Sequence, residues 1–315
     1  MVIPITQVAK GIFRVGPLDT GHASAPTTPY IVVGSQRTAI VEPGEDGQAP
    51  GLLEAVKLCD LPLSHVAYIV PTHIHMHHIQ GAPLLLKQLP QAKFVVHPRG
   101  APHVIEPARL VQSTIEAWGD KCYGTFSAIP KEKVMTVEDG QVLDLGDTGL
   151  EFIYAPGHAP HHMGVFDRRT RALFMGDTVS LGGPARERGY HDIRPPLFDV
   201  DKFIQTGRRF MALKPSMLLS FALNGASLAP DKTLKWAEED ILAIERICRD
   251  GMKRKMSFKE IVRQVEDFED SLGSRTRDQR RSGPEFNSGG LYGMLAYIHR
   301  KDPSLEIPAD ATQRM

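Results

Sequence analysis

The chain is poor in cysteine. Three in 315 residues, Cys59, Cys122 and Cys248, are odd in number and widely spaced. That excludes a disulfide framework and a zinc–thiolate motif, and the thiols are expected to be free in a reducing compartment. A surplus of either charge is also missing, because 37 Lys and Arg meet 37 Asp and Glu. Nothing in that balance asks for nucleic acid or an acidic membrane, so neither is expected as a partner. No apolar run reaches the roughly 18 residues of a membrane span, and the opening Met1–Thr6 has no basic, signal-like start. A cytoplasmic location is therefore expected. No internal repeat of about 20–50 residues is visible. With 42% hydrophobic and 23% charged residues, the composition is that of an ordinary globular protein.

Histidine is concentrated instead. His73-Ile74-His75-Met76-His77-His78 packs four imidazoles into six positions. Histidine is the commonest side-chain metal ligand, and an internal run of this density reads as a metal site rather than as a surface loop. In an extended segment alternate residues point the same way, so His73, His75 and His77 are expected to share a face. His78 faces away unless the backbone turns. The run follows an apolar strand, Val66–Val70, stopped by Pro71-Thr72, and precedes a helix expected over Ile79–Leu89.

Around this run the spacing predicts strands at Gly11–Val15, Pro29–Gly34 and Thr38–Glu42, arranged as a hairpin or meander, then a helix over Ala49–Cys59. Further strands are expected at Ala92–His97, Lys133–Val137, Gln141–Leu145 and Leu150–Tyr154, with a helix near Pro107–Trp118 between the first two. Met163–Phe166 and Arg171–Met175 read as a hairpin. Beyond Pro195 the chain turns helical at Asp199–Ala212, Asp231–Asp250, Ser257–Phe268 and Gly290–Arg300. Leu234, Ile241, Ile244 and Cys248 mark the buried stripe of the second. The basic, apolar-poor segment Gly273–Gly283 reads as a solvated loop rather than an anion-binding flap. This order argues for a layered α/β protein with two sheets, each covered by helices on one face.

Two more segments end strands with ligand-type residues beside glycine: Pro156-Gly157-His158 and Gly176-Asp177-Thr178. Together with Thr72-His73-Ile74-His75-Met76-His77-His78 they resemble the metallo-β-lactamase superfamily, over roughly residues 10 to 230. Within it the chain looks closest to glyoxalase II-like hydrolases. The resemblance implies a four-layer αββα sandwich with a helical C-terminal extension, divided as 1–228 and 229–315, with the extension packed on the sandwich. It implies that His73, His75 and His158 bind a first metal, that Asp177 bridges, and that His78 binds a second. Zinc is the family default, with iron or manganese as alternatives and one or two ions in place.

Two departures stand out. His77 replaces the family's aspartate, as a base or as a ligand. Phe221, in Leu219–Gly225, stands where the family's last histidine is expected. Tyr190, His191 and Arg194 are candidates to line the cleft, Tyr190 as an oxyanion donor. Glu42 resembles the family's strand-end acid behind the ligands. His161 and His162 are expected to support the site rather than ligate, and His22, His65, His97, His103 and His299 to be structural or on the surface. The activity implied is hydrolysis of an ester, thioester, lactone or related bond in a small molecule by metal-bound hydroxide, with His77, Asp177 and Tyr190 as catalytic candidates. The alternatives are a di-iron redox protein of the same superfamily, or a binding or regulatory protein with a degenerate site. A homo-oligomer, with the C-terminal helices covering the interface or the cleft, stays open.

Overall fold

Two mixed sheets carry the fold in the computed structural model, which describes residues 3–19, 27–118, 125–179, 193, 197–221, 225–272 and 284–311. The chain forms two compact units. The first takes residues 1–154, 161–176 and 215–228; the second takes 155–160, 177–214 and 229–315.

Both sheets belong to the first unit. One runs in sequence order through β1 (Ile5–Ala9), β2 (Ile12–Val15), β3 (Tyr30–Val33), β4 (Thr38–Val41), β5 (Val66–Val70), β6 (Lys93–Val96) and β7 (Val134–Thr136). The first four are antiparallel: β2, β3 and β4 form the meander expected from sequence, and β1, which was not expected, adds to its edge; β4 to β7 are parallel. Parallel neighbours need crossovers, and helices supply them. They are α1 (Ala49–Leu58), the single turn α2 (Met76–Ile79), α3 (Ala82–Gln88), α4 (Ala101–Ile105) and α5 (Ala108–Trp118). The other sheet contains β8 (Val142–Asp144), β9 (Gly149–Tyr154), β10 (Met163–Asp167), β11 (Ala172–Phe174), β12 (Met217–Leu219) and β13 (Ala226–Ser227), in order β13-β12-β11-β10-β9-β8. The β10–β11 hairpin expected from sequence is present. Its turn is held by the buried Asp167, whose carboxylate accepts from Thr148 Oγ1 at 2.7 Å and from the Thr170 amide at 2.8 Å.

Strand alternation divides the core in two. Ile31, Ile40, Ile69, Phe94 and Val96 point outward and pack with Leu52, Ala55 and Val56 of α1, Leu85 of α3 and Val104 of α4. Tyr30, Val32, Ala39, Val41, Val70 and Val95 point the other way, against Leu150, Phe152, Val165, Ala172, Phe174 and Leu219 of the second sheet. The residues between are buried on both sides, which is why β4 and β6 read as continuous apolar runs.

The expected helix over Ile79–Leu89 is broken. α2 ends at Ile79, Gly81 N–H turns away to Gly44 O at 2.8 Å, and α3 restarts at Ala82 with Pro83 in its first turn.

The second unit is helical: α6 (Val200–Ala212), α7 (Pro230–Lys253), α8 (Phe258–Ser271) and α9 (Pro284–Lys301). Asp199 caps α6 by accepting from Lys202 N, and Ser257 with Glu260 forms a capping box on α8. The buried face of α7 carries Leu234, Ile241, Ile244 and Cys248, the stripe expected from its period, extended by Met252. Gly251 of α7 lies against the Ile261 side chain of α8, an approach that leaves no room for a Cβ. Among the described residues no helix is long and apolar enough to cross a membrane.

Candidate metal centre

The histidine run lies where β5 gives way to α2. Ile74, Met76 and Ile79 anchor it, all within 2% of full burial in the outer core. Their alternation with the histidines turns the imidazoles to the opposite side. His75 caps α2, and His78 N–H donates to His75 O at 2.9 Å.

This turn corrects the expectation that His73, His75 and His77 share one extended face. The His73 ring centroid lies 4.4 Å from that of His75 and 4.0 Å from that of His78, but 6.3 Å from that of His77. Helical geometry from Met76 onward brings His78 round and swings His77 aside. His73 Nε2 and His75 Nδ1 face each other at 2.9 Å.

Glu42 sets the imidazoles. It follows β4 in a left-handed conformation, φ 59°, that a non-glycine residue adopts at a cost. Its side chain is 1% exposed. Oε2 accepts from His78 Nδ1 at 2.9 Å and from Thr72 N at 3.3 Å, while Oε1 accepts from the Thr72 hydroxyl at 2.6 Å. That hydroxyl lies 3.2 Å from His73 Nδ1. Having given its proton to the carboxylate, the Thr72 oxygen can only accept from His73. Both rings therefore carry their proton on Nδ1 and keep the Nε2 lone pair for an outside partner. One buried carboxylate fixes two tautomers, one directly and one through a hydroxyl. The sequence pointed to Glu42 as an acid behind the ligands; Thr72 was not singled out, although a hydroxyl between Pro71 and His73 was the available signal.

In the second unit, His158 and Asp177 are both buried, with His158 Nε2 3.5 Å from Asp177 Oδ2. His158 follows Gly157, whose φ of 145° and proximity to the Phe203 backbone exclude a side chain. The Pro156–Gly157 turn is pinned to the start of α6: Asp199 N donates to Gly157 O at 2.9 Å, and Thr206 Oγ1 to Pro156 O at 2.7 Å. Asp177 sits in a tight turn at φ −94°, ψ 16°. His73, His75, His158 and Asp177, and likewise His77, His78 and Asp177, are sets of donor types that could hold a metal ion.

Other residues surround the histidine run within the first unit. Phe221 stacks on His78 with ring centroids 4.0 Å apart and planes at 29°, and lies 5.8 Å from His77. Its strand end is held by Tyr30 Oη, which donates to Ser220 O at 2.8 Å. The rings of His161 and His162 lie 6.2 Å and 5.0 Å from that of His73. Gly176, at φ 49°, lies so close to Thr72 Oγ1 and His162 Nε2 that no Cβ fits. Among the remaining histidines, His65 meets the Thr38 hydroxyl and His299 Nδ1 meets Leu305 O. His97 is buried against Tyr154, 4.1 Å between rings. Tyr190, His191, Arg194, His22 and Cys122 lie outside the described residues, as does the 273–283 segment.

An α/β sandwich with imidazole and carboxylate side chains at its strand ends, groups that could hold a metal ion, marks a class of proteins. Residues 25–220 match the model of the metallo-β-lactamase superfamily, more than half of the chain. The chain belongs to that superfamily and has its fold, with helices added at the C-terminus. It is 29% identical over 227 residues to the metallo-β-lactamase fold-containing protein ST1585 of Sulfurisphaera tokodaii, covering 70% of this chain and 80% of that protein. The crystal structure of ST1585 superposes with a TM-score of 0.60, covering 74% of this chain and 86% of that one. Hydroxyacylglutathione hydrolase GloC of Haemophilus influenzae is 25% identical over 167 residues, 48% of this chain and 65% of GloC. The fold of TTHA1429, a metallo-β-lactamase family protein of Thermus thermophilus, matches over 94% of this chain and 95% of that one, at a TM-score of 0.65 and 14% identity.

Proposed function

We propose that this chain is a metal-dependent hydrolase acting on an ester, thioester, lactone or related acyl bond of a small molecule. The observation that carries the reading is the pair of preset imidazoles. Glu42 and Thr72 leave Nε2 of both His73 and His78 as lone-pair donors, and His73 Nε2 faces His75 Nδ1 at 2.9 Å. Two nitrogens bound tetrahedrally to one zinc stand about 3.3 Å apart, so these two need only a slight widening to share an ion. The superfamily and the hydrolase GloC among its relatives point the same way.

In this reading His73, His75, His158 and Asp177 hold the first ion; His77, His78 and Asp177 form a second position. The donors are imidazole and carboxylate, which suit zinc, and also iron or manganese. A divalent cation held by these residues would supply an acidified water, with a pKa of about 7 as is usual for zinc, and a Lewis acid for an acyl oxygen, which is the chemistry such a bond needs. The protein's part is orientation. Glu42 holds the ligands in place, Asp177 fixes the donor set, and His77, partly exposed beside His78, receives and releases the proton of the reaction. Tyr190 is assigned to the developing oxyanion.

The test is direct. Metal per chain is measured after expression in zinc-supplemented medium, and turnover is followed on a panel of acyl esters, thioesters and lactones. His73→Ala is expected to remove bound metal and turnover together. Less than a tenth of an equivalent of metal in the folded wild type would defeat the reading.

A further inference from the structure

The two halves of the proposed centre are unequal, and the inequality is built from residues of the first unit. His78 is fixed by Glu42 and buried, but one face of its ring is covered by Phe221 at 4.0 Å. The same phenyl ring lies 5.8 Å from His77. The wall beside the His77–His78 pair is thus an aromatic hydrocarbon, which offers no donor atom to a cation. The half-buried His77 ring stands 6.3 Å from that of His73, centre to centre, whereas the His73 and His75 rings are 4.4 Å apart and meet nitrogen to nitrogen at 2.9 Å.

Charge works in the same direction. Asp177 is the one carboxylate in either donor set, and both sets need it. Two dications would share a single anionic ligand, since Glu42 is engaged with Thr72 and His78. An ion bound by three imidazoles and the carboxylate has one of its two charges offset by that ligand. A second ion would have to divide that carboxylate and face the first across it.

Resting on the metal-hydrolase reading above, we propose that this chain works with one tightly held ion, at His73, His75, His158 and Asp177. The His77–His78 position, walled by Phe221, fills only in metal excess. His77 is then a side chain beside the ion rather than a ligand of it.

The experiment counts ions and needs no substrate. Chelator-stripped full-length protein is titrated with zinc by calorimetry and with cobalt by visible absorption. Metal retained after gel filtration in metal-free buffer is measured by mass spectrometry. One retained ion per chain is expected, with any second site weaker by about 100-fold or more, since it has fewer donors of its own. His77→Ala is expected to retain that ion with affinity within about threefold, and His73→Ala to lose it. Phe221→His, which places a donor in the wall, is expected to tighten the second site by about tenfold or more. Phe221→Leu, which does not, is expected to leave the count at one. Two retained ions in the wild type, or loss of the ion in a folded His77→Ala protein, would overturn the inference and leave the hydrolase reading standing. No bound ion at all would overturn both. The wild-type count and His77→Ala decide the matter even where Phe221→His fails to fold.

Discussion

Removing the Glu42 carboxylate gives the sharpest test of how the site is held. Glu42→Ala takes away the acceptor of three hydrogen bonds in a position 1% exposed: Thr72 Oγ1 at 2.6 Å, His78 Nδ1 at 2.9 Å and Thr72 N at 3.3 Å. Bonds to a charged acceptor contribute about 1.5–3 kcal/mol each, and water entering the vacated space recovers part of that, so the net loss is about 3–5 kcal/mol. Against a total of about 5–15 kcal/mol for a typical domain, the drop is large enough to read in urea unfolding of metal-free protein. Glu42→Gly removes the same bonds but relieves the left-handed backbone at φ 59°, so it should be less damaged than Glu42→Ala by about 1 kcal/mol. Glu42→Gln keeps the shape but offers one acceptor oxygen where two are used. Either Thr72 or His78 must then reorganise, and the imidazole nitrogen NMR signals of His73 or His78 should change tautomer. A Glu42→Ala protein that loses less than about 1 kcal/mol, together with unchanged tautomers in Glu42→Gln, would refute the clamp.

Three further outcomes follow from single contacts. Gly176→Ala meets Thr72 and His162 at a positive φ, and its thermal midpoint should fall by an amount equivalent to about 2–3 kcal/mol. Tyr30→Phe removes the donor to Ser220 O and should cost about 1–2 kcal/mol in urea unfolding, with increased mobility of the Phe221 ring by NMR. Burial, aided by Arg99 and opposed by Glu138, holds the His97 imidazole below its usual 6.5. The unfolded chain then takes up the proton first, so the contribution of His97 to stability is complete above pH 6.5 and is lost as the pH falls below it. The stability difference between wild type and His97→Gln should therefore shrink from pH 7.5 to 5 in paired urea titrations; a constant difference would contradict the assignment.

Much of this fold was legible because burial writes a period into the sequence. β4, β5 and β6 are short apolar runs because they are covered on both faces, and α7 shows its stripe at Leu234, Ile241, Ile244 and Cys248. What went unread was set by distant contacts. β1 is half exposed and shows no clean alternation, and β12 and β13 span only three and two residues. The break after α2 is made by a hydrogen bond from Gly81 to Gly44, which no local pattern encodes. The same holds for the site. The imidazoles announced themselves by density, and Phe221 by standing in an expected histidine's place. The swing of His77 away from His73 follows from the helix beginning at Met76. The chain from Glu42 through Thr72 to His73 joins residues thirty positions apart and exists only once β4 and β5 lie side by side.

The path of the chain between its two units has a consequence for how such a protein could be dissected or recombined. The backbone leaves the strand-built unit at 155, returns at 161, leaves again at 177, returns at 215 and departs finally at 229. His158 and Asp177 are carried on the excursions, so cutting at Leu228 would strand both detours away from the helices with which they are grouped. Neither piece is a cassette that could be swapped onto another scaffold by a single crossover. Change must come by substitution in place, residue by residue, as at positions 77 and 221.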